Sequence, residues 1–278
     1  MSEYTVVVGL GNPQNVERLM RVGCMMAGRH DGRVEAVTVI SVDCEEPVPA
    51  PEGHDRISRG YAILDHAQRI AEHACTRFTS HLSIGRPIFE TLDEVAEATD
   101  AELILVGYSE RRHPRGDTRP FDRLVDEIAA RAPCDLLVAR FVGEPAYGRV
   151  LVPVRARLDL DIRRDLLLAL QDNFGSEIDV VHFAGNEQEA ERMRDELAEW
   201  LEARGVKDLM NSRVEIHDNP PEAIVGASRD YDLVVIGTAP LHEVRRKFFG
   251  AIPEHVANHA ACSTFLIRTR NVKFRPRG

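Results

Sequence analysis

The chain has 278 residues, 44% of them hydrophobic and 29% charged, which is typical of a soluble globular protein. Its net charge of −10 argues against a general nucleic-acid binder, because such proteins carry a basic surplus. No apolar run reaches the roughly 18 residues of a transmembrane helix, and the N-terminal segment lacks the basic start of a signal peptide. The five cysteines are widely spaced, so we expect reduced thiols and a cytoplasmic location.

Strands and helices are predicted to alternate along the first half of the chain. The predicted elements are strand 6–10, helix 14–30, strand 34–42, helix 58–78, strand 83–85, helix 92–98, strand 102–106, helix 121–131 and strand 135–140. The proline-rich and acidic residues 43–56 predict an exposed loop, and so do the arginine-rich residues 108–120. This alternation predicts a parallel sheet that is covered by helices on both faces.

The same order of elements recurs in the second half. The predicted elements are strand 149–154, helix 160–173, strand 177–183, helix 187–204, strand 213–216, helix 220–228, strand 232–236, helix 252–259 and strand 263–268. Two segments are close copies, since residues 100–107 (DAELILVG) match residues 230–237 (DYDLVVIG). The chain is therefore predicted to be a tandem repeat, with domains at 1–143 and 148–271.

The loop that follows Gly237 is the best candidate for a ligand site. In open α/β sheets, ligands bind beyond the carboxyl ends of the strands, at the point where the strand order reverses. The loop contains a basic run, Arg245, Arg246 and Lys247. It ends at Gly250, where the free N–H groups of a helix N-terminus favour an anion.

These features resemble the universal stress protein family in its tandem form, over nearly all of both repeats. Nucleotide-binding members of that family carry G-x2-G-x9-G-[ST] after the fourth strand, and an Asp after the first strand. In repeat two, Gly237 and Gly250 match the first and third glycines, whereas Pro240 replaces the second and Ala251 the hydroxyl residue. Arg155 stands at the position of the Asp.

The resemblance implies two tandem, doubly wound, five-stranded parallel sheets of the adenine nucleotide alpha hydrolase-like type. It also implies that any ATP or other adenine nucleotide binds repeat two. The nucleotide-binding residues of repeat two would then be Gly237, Thr238, Gly250, Ala251, Arg155, Arg245 and Arg246. In repeat one, Glu110 and Asp122 would repel a phosphate, which disfavours a nucleotide there.

Three other patterns allow two interpretations each. Gly9-x-Gly11 precedes a helix like a dinucleotide fingerprint, but Asn12-Pro13 favours a helix cap. His255 and His259 have a spacing that suits zinc, but no third ligand is near, which favours a surface pair. The basic residues of loop 108–120 indicate either a solvated loop or a contact with an anion or partner.

Two functions remain open, and an enzyme is disfavoured because no catalytic motif is present. The first is a non-catalytic universal stress-type regulator that senses an adenine nucleotide in repeat two. The alternative is a cytosolic regulatory or interaction module of an amino-acid or cation transporter, with degenerate or absent ATP binding. We also expect the last strands of the repeats, 135–140 and 263–268, to pair as an intramolecular pseudo-dimer, which leaves a higher oligomer open.

Overall fold

The structure, a computed structural model, describes residues 3–40, 50–108, 123–155, 163–237 and 251–269. They form two compact units, and the division between them falls inside a strand, after Val138. In the part of the chain that the structure describes, each unit contains five strands and four α-helices. The predicted α/β fold is thus confirmed, and each unit is described separately below.

Unit 1 has its first strand near the centre of the sheet. Its elements are β1 (Thr5–Gly9), α1 (Val16–Gly28), β2 (Arg33–Ile40), α2 (Ala50–His73), β3 (Arg77–Ile84), α3 (Ile88–Ala98), β4 (Leu103–Gly107), α4 (Arg123–Arg131) and β5 (Asp135–Arg140). The strand order is β3-β2-β1-β4-β5. The β1–β2, β2–β3 and β1–β4 pairs are parallel.

Helices cover both faces of this sheet. On one face α1 approaches β1 so closely that a Cβ on Gly23 would lie 2.8 Å from Val8 Cγ2. On the other face Leu92 of α3 lies against Gly9, 3.4 Å from the position of its missing Cβ. Successive residues of a strand point to opposite faces, so Val8 and Gly9 show that helices lie on both sides of β1. This is the predicted doubly wound arrangement.

Unit 2 repeats this topology. Its elements are β6 (Arg149–Pro153), α5 (Arg164–Phe174), β7 (Glu177–Ala184), α6 (Glu187–Ala203), β8 (Met210–Ile216), α7 (Pro220–Ala227), β9 (Leu233–Gly237), α8 (Ala251–His259) and β10 (Ser263–Arg268). The strand order is β8-β7-β6-β9-β10. The β6–β7, β7–β8, β6–β9 and β9–β10 pairs are parallel. The first strand again lies centrally, which confirms the predicted repeat.

The region between β2 and α3 differs from the prediction. Part of the predicted loop 43–56 is helical, since α2 begins at Ala50, and the predicted helix 58–78 ends at His73. Cys75 ends it by adopting a left-handed φ of 51°, which lets Thr76 N donate a hydrogen bond to Ala71 O. No glycine marks this stop, so the pattern missed it. The weak strand 83–85 is in fact eight residues long and begins at Arg77.

Candidate functional site

The candidate site of each unit lies at the carboxyl ends of its first and fourth strands. The strand order reverses there, because the second and third strands of each unit lie on one side of its first strand and the fourth and fifth lie on the other. In unit 1 these strand ends are Gly9 and Gly107, and in unit 2 they are Pro153 and Gly237. We call these two places the unit 1 crevice and the unit 2 crevice.

The unit 1 crevice has an apolar side chain against its second glycine. A Cβ on Gly107 would lie 3.2 Å from Leu19 Cδ1, in α1. The strands stay paired to their ends, with four residue pairs from Val6–Leu103 to Gly9–Val106. Asn12 caps the turn after β1 by accepting a hydrogen bond from Gln14 N at 3.0 Å. The structure thus favours the helix-cap interpretation of the Gly9-x-Gly11 pattern.

The unit 2 crevice contains a buried arginine at the corresponding place. Arg163 precedes α5 directly and is only 2% exposed. A Cβ on Gly237 would lie 2.7 Å from Arg163 Nη2 and 2.8 Å from its Nε. Real Cβ atoms do not approach other atoms this closely, so the guanidinium takes the space that any side chain at position 237 would need. Packing against Arg163 is therefore a structural reason for the glycine at position 237.

The guanidinium of Arg163 also joins the two strands of the unit 2 crevice. Its Nη1 donates hydrogen bonds to Pro153 O, at the end of β6, and to Val235 O, in β9. The β6–β9 ladder has only two residue pairs, Val150–Leu233 and Leu151–Val234, against four in unit 1. Pro153 lacks the N–H group that would continue the ladder. Arg163 thus bonds to strand carbonyls beyond the point where the ladder stops.

A second polar side chain lies near the end of β6. His182 of β7 is buried, and its Nδ1 lies 2.9 Å from Val154 O, the residue after β6. Its Nε2 lies 3.3 Å from Glu189 Oε1. The hydrogen bond from Gly185 N to Glu189 is the main cause that holds the pKa of this carboxyl below its ordinary value. In unit 1, Thr38 donates to Leu10 O in the same manner. The unit 2 crevice is the more polar of the two.

The sequence-predicted binding residues are only partly placed. Gly237 ends β9, Arg155 is exposed just after β6, and Ala251 begins α8. Thr238, Arg245, Arg246 and Gly250 lie outside the described residues, as do Glu110 and Asp122 of repeat one and most of the basic loop 108–120. The structure therefore brings Gly237 against Arg163, a residue that the motif comparison missed.

The repeat could have revealed Arg163. It follows Leu19 by 144 residues, which is also the interval from Val6 of β1 to Val150 of β6. Leu19 is an ordinary apolar residue of a packed helix. An arginine at the corresponding place, in a region expected to pack on a sheet, indicates a buried cation with hydrogen-bond acceptors nearby.

Histidines contribute to two small surface features. His255 stacks on His259 with ring centroids 4.4 Å apart, and its Nε2 lies 3.0 Å from Glu222 Oε1. Within the described residues, no three His, Cys, Asp or Glu side chains are grouped as a metal site would require. His66 and His73 line a cleft of about 390 Å³ on unit 1. The other residues of this cleft are Glu17, Arg21, Arg69 and Ile70.

The Universal stress protein family model matches residues 4–140 and again 147–268. The chain belongs to the universal stress protein family. The two matches agree with the repeated fold, and they confirm the resemblance that the sequence indicated. Among the helices that the structure describes, none has the length and apolar character needed to span a bilayer.

Relatives of this universal stress protein include transporters. It is 22% identical over 257 residues to the Na+/H+ antiporter NhaS5 of Synechocystis sp., an alignment that covers 90% of this chain and 36% of the antiporter. The chain thus spans about a third of the length of that relative.

Solved structures share the fold of the whole chain. A universal stress protein from Archaeoglobus fulgidus superposes with a TM-score of 0.65 at 12% identity, covering 95% of this chain and 97% of that one. The cytoplasmic domain of a prokaryotic cation chloride cotransporter superposes with a TM-score of 0.59 at 13% identity, covering 95% of each chain. At these identities the likeness concerns the fold alone.

Proposed function

We propose that this universal stress protein is a non-catalytic regulatory module that acts on a membrane ion transporter. The observation that carries the proposal is the alignment with the antiporter NhaS5, which covers 90% of this chain and so runs across both repeats. The fold shared with a cotransporter's cytoplasmic domain is consistent with the same role. A transporter-associated module was the alternative that the sequence left open.

The unit 2 crevice supports a role that does not need catalysis. Its buried cation, Arg163, is bonded to the backbone carbonyls of Pro153 and Val235. A group held in this way is suited to fixing two strands, whereas a catalytic group must reach a substrate. The sequence also contains no Walker A, nucleophile elbow or other catalytic motif.

A sensor of adenine nucleotides is the competing proposal. It rests on Gly237, Arg155 and the start of α8, together with the loop residues outside the described part. Against it stands the guanidinium of Arg163, which lies directly against Gly237. We therefore favour the transporter module with degenerate or absent nucleotide binding.

Ion exchange in everted membrane vesicles tests the proposed function. Vesicles from the source organism with the gene deleted would be loaded with a pH-sensitive dye, and proton exchange driven by Na+ or K+ would be recorded. We expect purified protein, added to the cytoplasmic side, to change the apparent cation affinity or the maximal rate. Heat-denatured protein is the control. An unchanged exchange with both cations would contradict the proposal.

A further inference from the structure

The unit 2 crevice holds a side chain of the protein itself beside Gly237, at the end of β9. Arg163 is buried, and its guanidinium atoms lie 2.7–3.0 Å from the position that a Cβ on Gly237 would take. A glycine at a strand end allows a ligand to approach the backbone only when that space is open. Here it is taken by the guanidinium.

The guanidinium is held by both strands of the crevice. Its Nη1 lies 2.9 Å from Pro153 O and 3.2 Å from Val235 O, so one nitrogen bridges β6 and β9. A ligand that entered between these strands would have to break both hydrogen bonds and displace a buried cation. Two acceptors inside the protein thus hold one end of the guanidinium in place.

Unit 1 provides an internal comparison. Leu19 lies against Gly107 in the same way that Arg163 lies against Gly237. The space is therefore filled from within in both units, once by an apolar side chain and once by a cation. Gly107 and Gly237 match in the two copies of the motif, and each faces a side chain of its own chain.

We propose that Arg163 is the residue that excludes adenine nucleotides from the unit 2 crevice. Its guanidinium fills the space beside Gly237, and its hydrogen bonds join the ends of β6 and β9. Gly237, the first glycine of the nucleotide motif in repeat two, accommodates this arginine because it has no side chain. The proposal concerns the crevice alone, and its test uses no transporter.

Equilibrium dialysis with radiolabelled ATP tests this proposal on the full-length protein. The variants are Arg163→Ala, which opens the space, and Arg163→Leu, which copies Leu19 of unit 1. Arg164→Ala is the matched control, because it removes the neighbouring, only partly buried arginine. Fluorescence of Trp200, the single tryptophan, checks that unit 2 is folded. If Arg163→Ala does not fold, Arg163→Gln replaces it as the opened variant.

We expect saturable ATP binding to Arg163→Ala that is at least tenfold tighter than binding to the wild type, Arg163→Leu or Arg164→Ala. Hydrogen exchange should also become faster in Arg163→Ala in peptides covering residues 150–155 and 232–237. Wild-type protein that binds ATP as tightly as Arg163→Ala would overturn the proposal. A folded Arg163→Ala without saturable binding would overturn it too, since something other than Arg163 would then exclude the nucleotide.

Discussion

Gly237→Ala should destabilise unit 2 strongly, and Arg163 should be the reason. The new Cβ would lie 2.7 Å from Arg163 Nη2 and 2.8 Å from its Nε, so the guanidinium must move. The φ of Gly237 is not left-handed, and the backbone itself therefore accepts alanine. Gly107→Ala is the matched control, because its Cβ would meet Leu19 Cδ1 at 3.2 Å, which a shift of a few tenths of an ångström relieves.

The magnitude follows from the two hydrogen bonds that Arg163 makes. A hydrogen bond to a charged group contributes about 1.5–3 kcal/mol, and a displaced guanidinium loses two of them while leaving buried carbonyls behind. Partial relaxation lowers this sum, so we expect Gly237→Ala to cost about 3 kcal/mol. The control Gly107→Ala requires only mild repacking and should cost about 1 kcal/mol.

A double-mutant cycle separates this contact from general effects of the substitution. Urea unfolding followed by Trp200 fluorescence reports on unit 2, because this buried tryptophan lies in α6. In the Arg163→Ala background, Gly237→Ala should cost less than about 0.5 kcal/mol, giving a coupling energy of about 2–3 kcal/mol. If Gly237→Ala costs the same in both backgrounds, the contact does not explain the glycine and the reasoning is wrong.

Three further predictions concern both units. Burial raises the pKa of Asp93 from 3.8 to about 6 against the opposing effect of Arg131, so ionising it destabilises the fold as pH rises from about 4 to about 6. Since Asp93 is partly exposed, Asp93→Asn should stabilise the protein at pH 7 by only about 1 kcal/mol and flatten that fall in a pH series of urea melts. Iodoacetamide at pH 8 should label the exposed Cys75 quickly, whereas burial raises the pKa of Cys24 and Cys262 to about 11 and should protect both; equal labelling by mass spectrometry would contradict this. Pairing between β5 and β10 stays a prediction. The backbone amides of these strands that are not bonded within their own unit should exchange hydrogen more slowly than the free amides of β3 and β8, and equally fast exchange would refute the pairing.

The sequence predicted the repeated elements well where the signal was local. β5 and β10 were predicted with the correct ends, because short β-branched or apolar runs were bounded by polar residues. The edge strand β3 was largely missed, since it is at least partly exposed on both faces and its sequence is mostly polar. The end of α2 was missed because Cys75, and not a glycine, takes the left-handed conformation there.

The candidate site was less predictable than the fold. The motif comparison found Gly237 by its spacing, but a motif does not tell what lies in front of the glycine. That depends on Arg163, which is 74 residues earlier in the chain and bonds to carbonyls of both β6 and β9. A long-range contact of a single side chain leaves no periodic signal, and only the comparison with Leu19 in the other repeat could have indicated it.

Cation-driven proton exchange in the everted vesicles, measured with and without ATP, tests the central claim most directly. We expect the wild-type protein to change the exchange to the same extent in both conditions, because Arg163 keeps ATP out of the unit 2 crevice. An effect of the wild-type protein that requires ATP would contradict the closed crevice, and no effect in either condition would contradict the proposed regulation of a transporter.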